Sequence, residues 1–142
     1  MVEGETWTGE AVRLTLPARP ELLRVARLTA AGLAGRLGFS IDDVEDVKIA
    51  VDELCFALVG MHGHAGSLTL TYRSEAGGLV VEGVARAGPG STPPEPVVGR
   101  LSAQILDAVV DEHSLSRAGG TMSFRLLKRP ALSVAPTNGQ GP

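Results

Sequence analysis

Cysteine is almost absent from this sequence of 142 residues. The single cysteine, Cys55, excludes an internal disulfide, and we therefore expect a reducing compartment. Cys55 falls among apolar residues of a helical pattern. We interpret it as a small core residue and not as a nucleophile.

Long apolar runs and an excess of positive charge are also missing. No apolar run approaches the roughly 20 residues that a membrane span requires, and no signal peptide opens the chain. The net charge of −3 argues against a general nucleic-acid binder, which needs clustered Lys and Arg. Hydrophobic residues make up 44% of the chain, which is enough for one domain with its own core. We expect a cytoplasmic protein.

The residues that are present predict an α+β fold. Alternating apolar residues predict strands, and apolar residues at steps of three and four predict helices. The predicted elements are a strand over Glu10–Pro17, helices over Pro20–Leu37 and Ser40–Gly60, a hairpin of Ser67–Arg73 with Leu79–Val84, a helix over Leu101–Asp111, and a hairpin of His113–Arg117 with Thr121–Leu127. This order favours a two-layer sandwich in which about three helices cover one face of a mostly antiparallel sheet. The domain would span 10–128, between a loose N-terminus (1–9) and a disordered tail (129–142) that is rich in Pro and Gly.

The clearest helix runs from Ser40 to Gly60. Ser40 is a suitable N-cap, and the predicted core face consists of Ile41, Val44, Val47, Val51, Leu54, Cys55 and Leu58. Glu53 is an acid among hydrophobic neighbours. It belongs either to a solvated helix face, where acids usually lie, or to a functional site.

The other helices present one notable polar pair. On the first helix, Arg24 and Arg27 lie one turn apart, and they serve either solubility or a partner-binding surface. The predicted inward residues are Leu22, Ala26, Leu33 and Leu37 on that helix, and Leu101, Ile105, Ala108 and Val109 on the third helix.

Two further motifs are weak on their own. His62 and His64 lie in a Gly-rich loop without a third ligand nearby, so we predict no metal site. Gly88 and Gly90 form a G-x-G in a loop, which alone says little about phosphate binding.

The segment from Ala26 to Leu58 carries a family resemblance. Asp46–Glu53 is similar to the N-box helix of that family, and Gly120-Thr121 with the strand ending at Lys128 is similar to its closing segment. Over roughly Val12 to Lys128, the chain resembles the anti-sigma factor and serine-protein kinase family of the RsbW type. That family belongs to the GHKL superfamily, which has the Bergerat or histidine-kinase-like ATPase fold.

The resemblance implies partners. Members bind a sigma factor, keep it from RNA polymerase and release it to an anti-anti-sigma factor of the STAS type. The classical members phosphorylate that partner on serine with Mg·ATP. Arg27 matches the family arginine that touches both partners, and Arg24 could share its surface. A homodimer through the first strand, Glu10–Leu16, is also implied, because that strand would otherwise be an exposed edge.

The nucleotide residues depart from the family pattern. Glu53 takes the place of the catalytic base, but Ala57 replaces a Mg²⁺-binding Asn and offers no oxygen ligand. Gly88, Gly90 and Thr121 keep their cofactor-binding positions, whereas Arg86 replaces the acid that accepts the adenine amino group, and arginine has only donors.

The lid segment, Pro96–Ser102, has lost most of its glycines. Together these losses predict a degenerate site with no or weak ATP binding, no metal, and Glu53 as a vestigial base. We therefore favour an anti-sigma factor that sequesters its partner without efficient kinase activity. The alternative is an active serine kinase that uses Glu53. A regulatory protein with an unrelated partner also stays open.

Overall fold

The computed structural model describes residue 7 and residues 10–90 and 98–131. The predicted loose N-terminus therefore lies, except for Trp7, outside the described residues. The same holds for the start of the predicted lid (96–97) and for 132–142 of the predicted tail. Within the described part of the chain, no helix is long and apolar enough to cross a membrane.

The elements follow the predicted order closely. The strands are β1 (Val12–Pro17), β2 (Ser67–Glu75), β3 (Gly78–Arg86), β4 (Glu112–Ala118) and β5 (Thr121–Lys128), and the helices are α1 (Leu23–Arg36), α2 (Ile41–Val59) and α3 (Arg100–Val109). A short 3-10 turn, Pro20–Leu22, precedes α1 and begins with the predicted proline. The α+β prediction is confirmed.

The five strands form one sheet in the order β1-β2-β3-β5-β4. All four pairings are antiparallel. β5, the last of these five strands in chain order, is thus an inner strand that lies between β3 and β4. The register places Gly83 of β3 beside Leu70 of β2 and Phe124 of β5, and all three are buried.

The two faces of the sheet differ in chemistry because successive side chains in a strand point to opposite sides. One face contributes the buried Leu68, Leu70 and Tyr72 of β2 to the core. The opposite face carries hydroxyl and charged side chains in cross-strand pairs, such as Thr15 with Thr69 (3.1 Å) and Arg73 with Glu82 (2.6 Å). The polar face is therefore the one that the helices leave uncovered.

Helix α2 begins as the sequence predicts. The Ser40 hydroxyl accepts a hydrogen bond from the backbone N–H of Asp43 over 3.0 Å. Val47, Val51, Leu54, Cys55 and Leu58 are fully buried. Ile41 was also expected on this face but is 81% exposed, because it is the first residue of the helix and Val47 is the first fully buried apolar residue.

Helix α1 contacts α2 through small residues. Its buried side chains are Leu23, Ala26, Ala30 and Ala34. The expectation that Leu22 faces the core was wrong, because Leu22 ends the 3-10 turn and Leu23 takes the buried position. The Tyr72 hydroxyl donates to the carbonyl of Ala26 over 3.0 Å and so joins this helix to β2.

Helix α3 agrees with the prediction in part: Val109, which was expected to face inward, packs against the core, and Ile105 is half-buried. Leu106 is its buried residue, followed by the buried Val110 at the C-cap, whereas Ala108 is exposed and Leu101 is 69% exposed. The helix thus turns a neighbouring stripe toward the core. The apolar pattern indicated a helix correctly but did not define which of two adjacent apolar stripes would be covered.

A buried ion cluster joins the ends of three elements. Nζ of Lys128, at the end of β5, lies 3.2 Å from Oδ2 of Asp46 and 3.6 Å from Oδ1 of Asp43, and it donates to the carbonyl of Val109 over 2.8 Å. The Asp43 carboxylate also accepts from the backbone N–H of Ala131. That hydrogen bond, followed by the charge of Lys128, holds the pKa of Asp43 below its ordinary value.

Candidate functional site

A cleft of about 620 Å³ lies between the start of α1 and the second half of α2. Its lining residues are Pro20, Glu21, Leu23, Arg24, Arg27, Asp52, Glu53 and Phe56. The cleft therefore brings together three of the residues that the sequence singled out, namely Arg24, Arg27 and Glu53. They are positioned by two helices that share the alanine-rich interface described above.

Arg27 and Asp52 form an ion pair across the two helices. Nη1 of Arg27 donates to Oδ2 of Asp52 over 2.9 Å. The side chains are 32% and 39% exposed, respectively, so water still screens the pair and its contribution to stability is small. Its main effect is to fix the direction of the guanidinium group.

Arg24 and Glu53 differ from that pair. Neither has an ion pair or side-chain hydrogen bond within residues 10–90 and 98–131. Glu21, which also lines the cleft, is paired with Arg19 over 3.3 Å. With the pairs Arg19–Glu21 and Arg27–Asp52 formed, one cation, Arg24, and one anion, Glu53, are left to interact with a bound molecule.

Phe56 supplies an apolar surface in the same cleft. It is 46% exposed on α2, and Leu23 of α1 also lines the cleft. An exposed aromatic ring beside an arginine is typical of protein-binding surfaces, because aromatic residues and arginine carry much of the energy of interfaces.

The glycine motif, Gly88 and Gly90, lies outside the cleft that contains Glu53. Gly88 is buried, and a Cβ atom added there would lie 2.9 Å from Cβ of Ala65, so this loop packs against the α2–β2 connection. Gly90 is exposed and has a φ of 76°, a conformation that glycine adopts without strain. Neither glycine lines the cleft that contains Glu53.

Thr121 and Arg86 are neighbours at one end of the sheet. They are paired in the register of β3 and β5, and the Thr121 hydroxyl donates to the carbonyl of Ala118 over 2.9 Å. Arg86 is exposed, and Ala57 is half-buried on α2. Like the two glycines, Thr121 is absent from the lining of the Glu53 cleft.

The histidine motif has a structural explanation. Nδ1 of His64 accepts a hydrogen bond from the backbone N–H of Gly66 over 3.1 Å, and Nε2 lies 3.3 Å from the carbonyl of Leu58. These contacts fix the loop between α2 and β2. Within the described ranges, no group of three His, Cys, Asp or Glu residues is placed to hold a metal ion.

Sequence reasoning did not identify Asp52 and Phe56. Asp52 is one of several acids along α2, and only the rotation of α2 against α1 shows that it contacts Arg27, which is 25 residues away in the chain. A signal for Phe56 was present, since a large aromatic residue next to predicted core residues, but outside their stripe, indicates an exposed apolar contact.

The chain is similar in sequence to histidine kinase-like ATPase domains and to RsbW proteins. The sequence profile of the histidine kinase-like ATPase domain matches residues 16–122. Among curated proteins, the serine-protein kinase RsbW of Halalkalibacterium halodurans is 42% identical over 64 residues, which are 44% of this chain and 40% of that protein. RsbW of Bacillus cereus is 39% identical over 66 residues, or 44% of this chain and 41% of that protein. The chain thus aligns with about two fifths of the length of these relatives.

A solved structure has the same fold. The crystal structure of the RsbU and RsbW domains of a Mycobacterium tuberculosis protein superimposes with a TM-score of 0.62 at 17% identity. The superposition covers 85% of this chain and 32% of that one.

Proposed function

The chain belongs to the histidine kinase-like ATPase family, as a member of the RsbW type, and from this premise we propose that it is an anti-sigma factor. In this proposal it binds an alternative sigma factor in the cytoplasm and keeps it from RNA polymerase. A STAS-type anti-anti-sigma factor then binds the same surface and displaces the sigma factor.

The cleft between α1 and α2 is the observation that carries this proposal. It combines a cation with no ion pair among the described residues (Arg24), an oriented arginine (Arg27) and an exposed aromatic ring (Phe56). An arginine that contacts carboxylates and an aromatic residue that contacts apolar side chains are the usual anchors of a protein interface. The surface therefore suits a protein segment that carries an acidic and an apolar side chain.

Sequestration is favoured over catalysis by the residues that a kinase would need. Phosphoryl transfer depends on a positioned metal and nucleotide, but Ala57 has no oxygen that could bind Mg²⁺. Arg86 cannot accept a hydrogen bond from the adenine amino group. The donor set thus does not fit Mg·ATP, and no step of the proposed function requires it.

The second candidate is a serine kinase, and the position of Glu53 is the observation in its favour. Glu53 lines the cleft without an ion pair within the described residues, so it is available as a general base. Titration calorimetry with Mg·ATP separates the two candidates. We expect a dissociation constant well above the low micromolar range, and low micromolar binding would support the kinase.

The proposed function is tested with purified alternative sigma factors from the organism that encodes the chain. We expect one of them to bind in titration calorimetry, and the chain to inhibit transcription by RNA polymerase that carries this sigma factor. Transcription by the housekeeping sigma factor serves as the control. Binding of none of the alternative sigma factors would contradict the proposal.

Ala57→Asn provides a matched variant for the nucleotide question. It restores the amide that the family uses for Mg²⁺ and changes a half-buried position outside the lining of the cleft. If the nucleotide pocket is vestigial, sigma-factor affinity should be unchanged with and without Mg·ATP. An affinity that depends on Mg·ATP in the wild-type chain would show that the nucleotide site is in use.

A further inference from the structure

Asp52 engages Arg27 through a single nitrogen, and this geometry leaves one edge of the guanidinium group open. Nη1 donates to Oδ2 of Asp52 over 2.9 Å, whereas Nε and Nη2 have no hydrogen-bond partner within residues 10–90 and 98–131. Nε and Nη2 form an edge that binds a carboxylate through two parallel hydrogen bonds. Arg27 can therefore hold Asp52 and a partner's carboxylate at the same time.

We propose that Asp52 is a positioning residue that orients Arg27 for the carboxylate of the sigma factor; this inference rests on the proposed function. A free arginine side chain loses rotamer freedom when it enters an interface, which costs affinity. The contact with Asp52 restricts the Arg27 side chain before the partner arrives. Less freedom is then lost on binding, so the complex is tighter.

Beside Glu21, which pairs with Arg19, the cleft carries two positive charges, Arg24 and Arg27, and two negative charges, Asp52 and Glu53. The partner's carboxylate is therefore held by the two hydrogen bonds of the open Arg27 edge and not by an excess of positive charge. The segment that fits therefore places an acidic side chain against Arg27 and an apolar side chain against Leu23 and Phe56.

The first test compares two substitutions of Asp52, with the sigma factor that binds the wild-type chain as the probe. Asp52→Ala removes the acceptor for Nη1, and we expect affinity to fall by about three- to tenfold, the equivalent of ordering one long side chain. Asp52→Asn keeps an amide oxygen that can accept the same hydrogen bond, so its affinity should stay within about twofold of wild type. If Asp52 acted only through its charge, Asp52→Ala and Asp52→Asn would weaken sigma-factor binding equally, because both substitutions remove the charge.

The second test asks whether Asp52 acts through Arg27. Arg27→Ala should weaken binding by about thirtyfold, as expected for an interface anchor, and Arg27→Lys should also bind poorly because an ammonium group lacks the two-pronged geometry. In the Arg27→Ala background, Asp52→Ala should cause no further loss. An equal loss in both backgrounds would overturn the proposal.

Glu45→Ala is the matched control. Glu45 lies on the same helix, carries the same charge and pairs with Lys48 over 3.0 Å, but it does not line the cleft. Its removal should leave sigma-factor affinity unchanged. Thermal unfolding confirms that each variant is folded, and Asp52→Ser, whose hydroxyl lies farther from Arg27, replaces Asp52→Ala if that variant does not fold.

The outcomes distinguish a failure of the proposed function from a failure of the role proposed for Asp52. If the wild-type chain binds no sigma factor, the proposed function is contradicted. If the wild-type chain binds and Asp52→Ala binds equally well or more tightly, only the role of Asp52 is contradicted. Thermal unfolding of the single and double variants also measures the Arg27–Asp52 coupling without any partner.

Discussion

Asp43 is a buried acid whose charge depends on contacts from distant parts of the chain. It is 7% exposed, accepts a hydrogen bond from Ala131 over 2.9 Å and lies 3.6 Å from Nζ of Lys128. The folded state therefore favours the ionised carboxylate, and the pKa of Asp43 is lower than its ordinary value. Its contribution to stability is complete above the ordinary carboxyl pKa and is lost as the pH falls through the lower, folded pKa.

Asp43→Asn should consequently destabilise the protein at neutral pH and much less in acid. We expect a loss of about 1–2 kcal/mol near neutral pH, from weaker hydrogen bonding and the lost charge. The difference from wild type should shrink as the pH falls below about 4. Urea unfolding at several pH values measures both effects.

Asp42→Asn is the control for this prediction, because Asp42 is an exposed neighbour in the same helical turn. Its effect should stay within about 0.5 kcal/mol. A loss in Asp43→Asn that does not change with pH would show that the charge of Asp43 is unimportant.

At the level of elements, the close packing of β3 against β5 depends on one glycine. A Cβ atom added to Gly83 would collide with the ring of Phe124, which is buried. Gly83→Ala should therefore lower the free energy of unfolding by about 1–3 kcal/mol, as expected for an overpacked core. Chemical denaturation measures this change.

Gly32→Ala is the matched substitution. Gly32 lies inside α1, and a Cβ atom there would meet nothing within 4 Å. Because alanine favours helix more than glycine, this variant should gain about 0.5–1 kcal/mol. Equal effects of the two substitutions would refute the role assigned to the Phe124 contact.

Some features of the helices and strands could be predicted from the sequence, and others could not. Strand alternation and the Ser40 cap are local signals, and they located every element to within a few residues. The covered side of α3 was missed in part because its two apolar stripes are adjacent and only contact with the other elements selects one. The pair Lys128–Asp46 spans 82 residues, and its existence depends on the strand order, which no local pattern encodes.

The residues of the candidate site were likewise predictable from the sequence only in part. Arg24, Arg27 and Glu53 were found from helical spacing and from the family resemblance, and the structure places them in one cleft. Gly88, Gly90 and Thr121 came from the resemblance and lie outside that cleft. The contact of Asp52 with Arg27 depends on how two helices are rotated against each other, which helical periodicity alone does not determine.

At the scale of the whole molecule, β1 forms an edge of the sheet at which a strand of another chain could pair. β1 is an outer strand that pairs with β2 on one side, and its other side presents backbone groups that could pair with another chain. We predict a homodimer through β1. Sedimentation at micromolar concentration should give about twice the monomer mass of 14.7 kDa.

Thr15→Lys should weaken this dimer, because a lysine on an edge strand opposes pairing between strands. Ser114→Lys makes the same change on β4, the other outer strand, and should leave the dimer intact. A wild-type chain that sediments only as a monomer would contradict the dimer, and equal effects of both lysines would contradict the choice of β1.

The position of β5 has a consequence for how the protein is made on the ribosome. The helices α1 and α2 are translated early, but β5 is synthesised after the other four strands of the sheet and fills an inner place in it. Until it emerges, β3 has an open edge and β4 has no neighbour. The nascent chain therefore exposes a strand edge from the release of β3 until the release of β5, and the sheet closes only when the ribosome tunnel has released the segment that ends at Lys128.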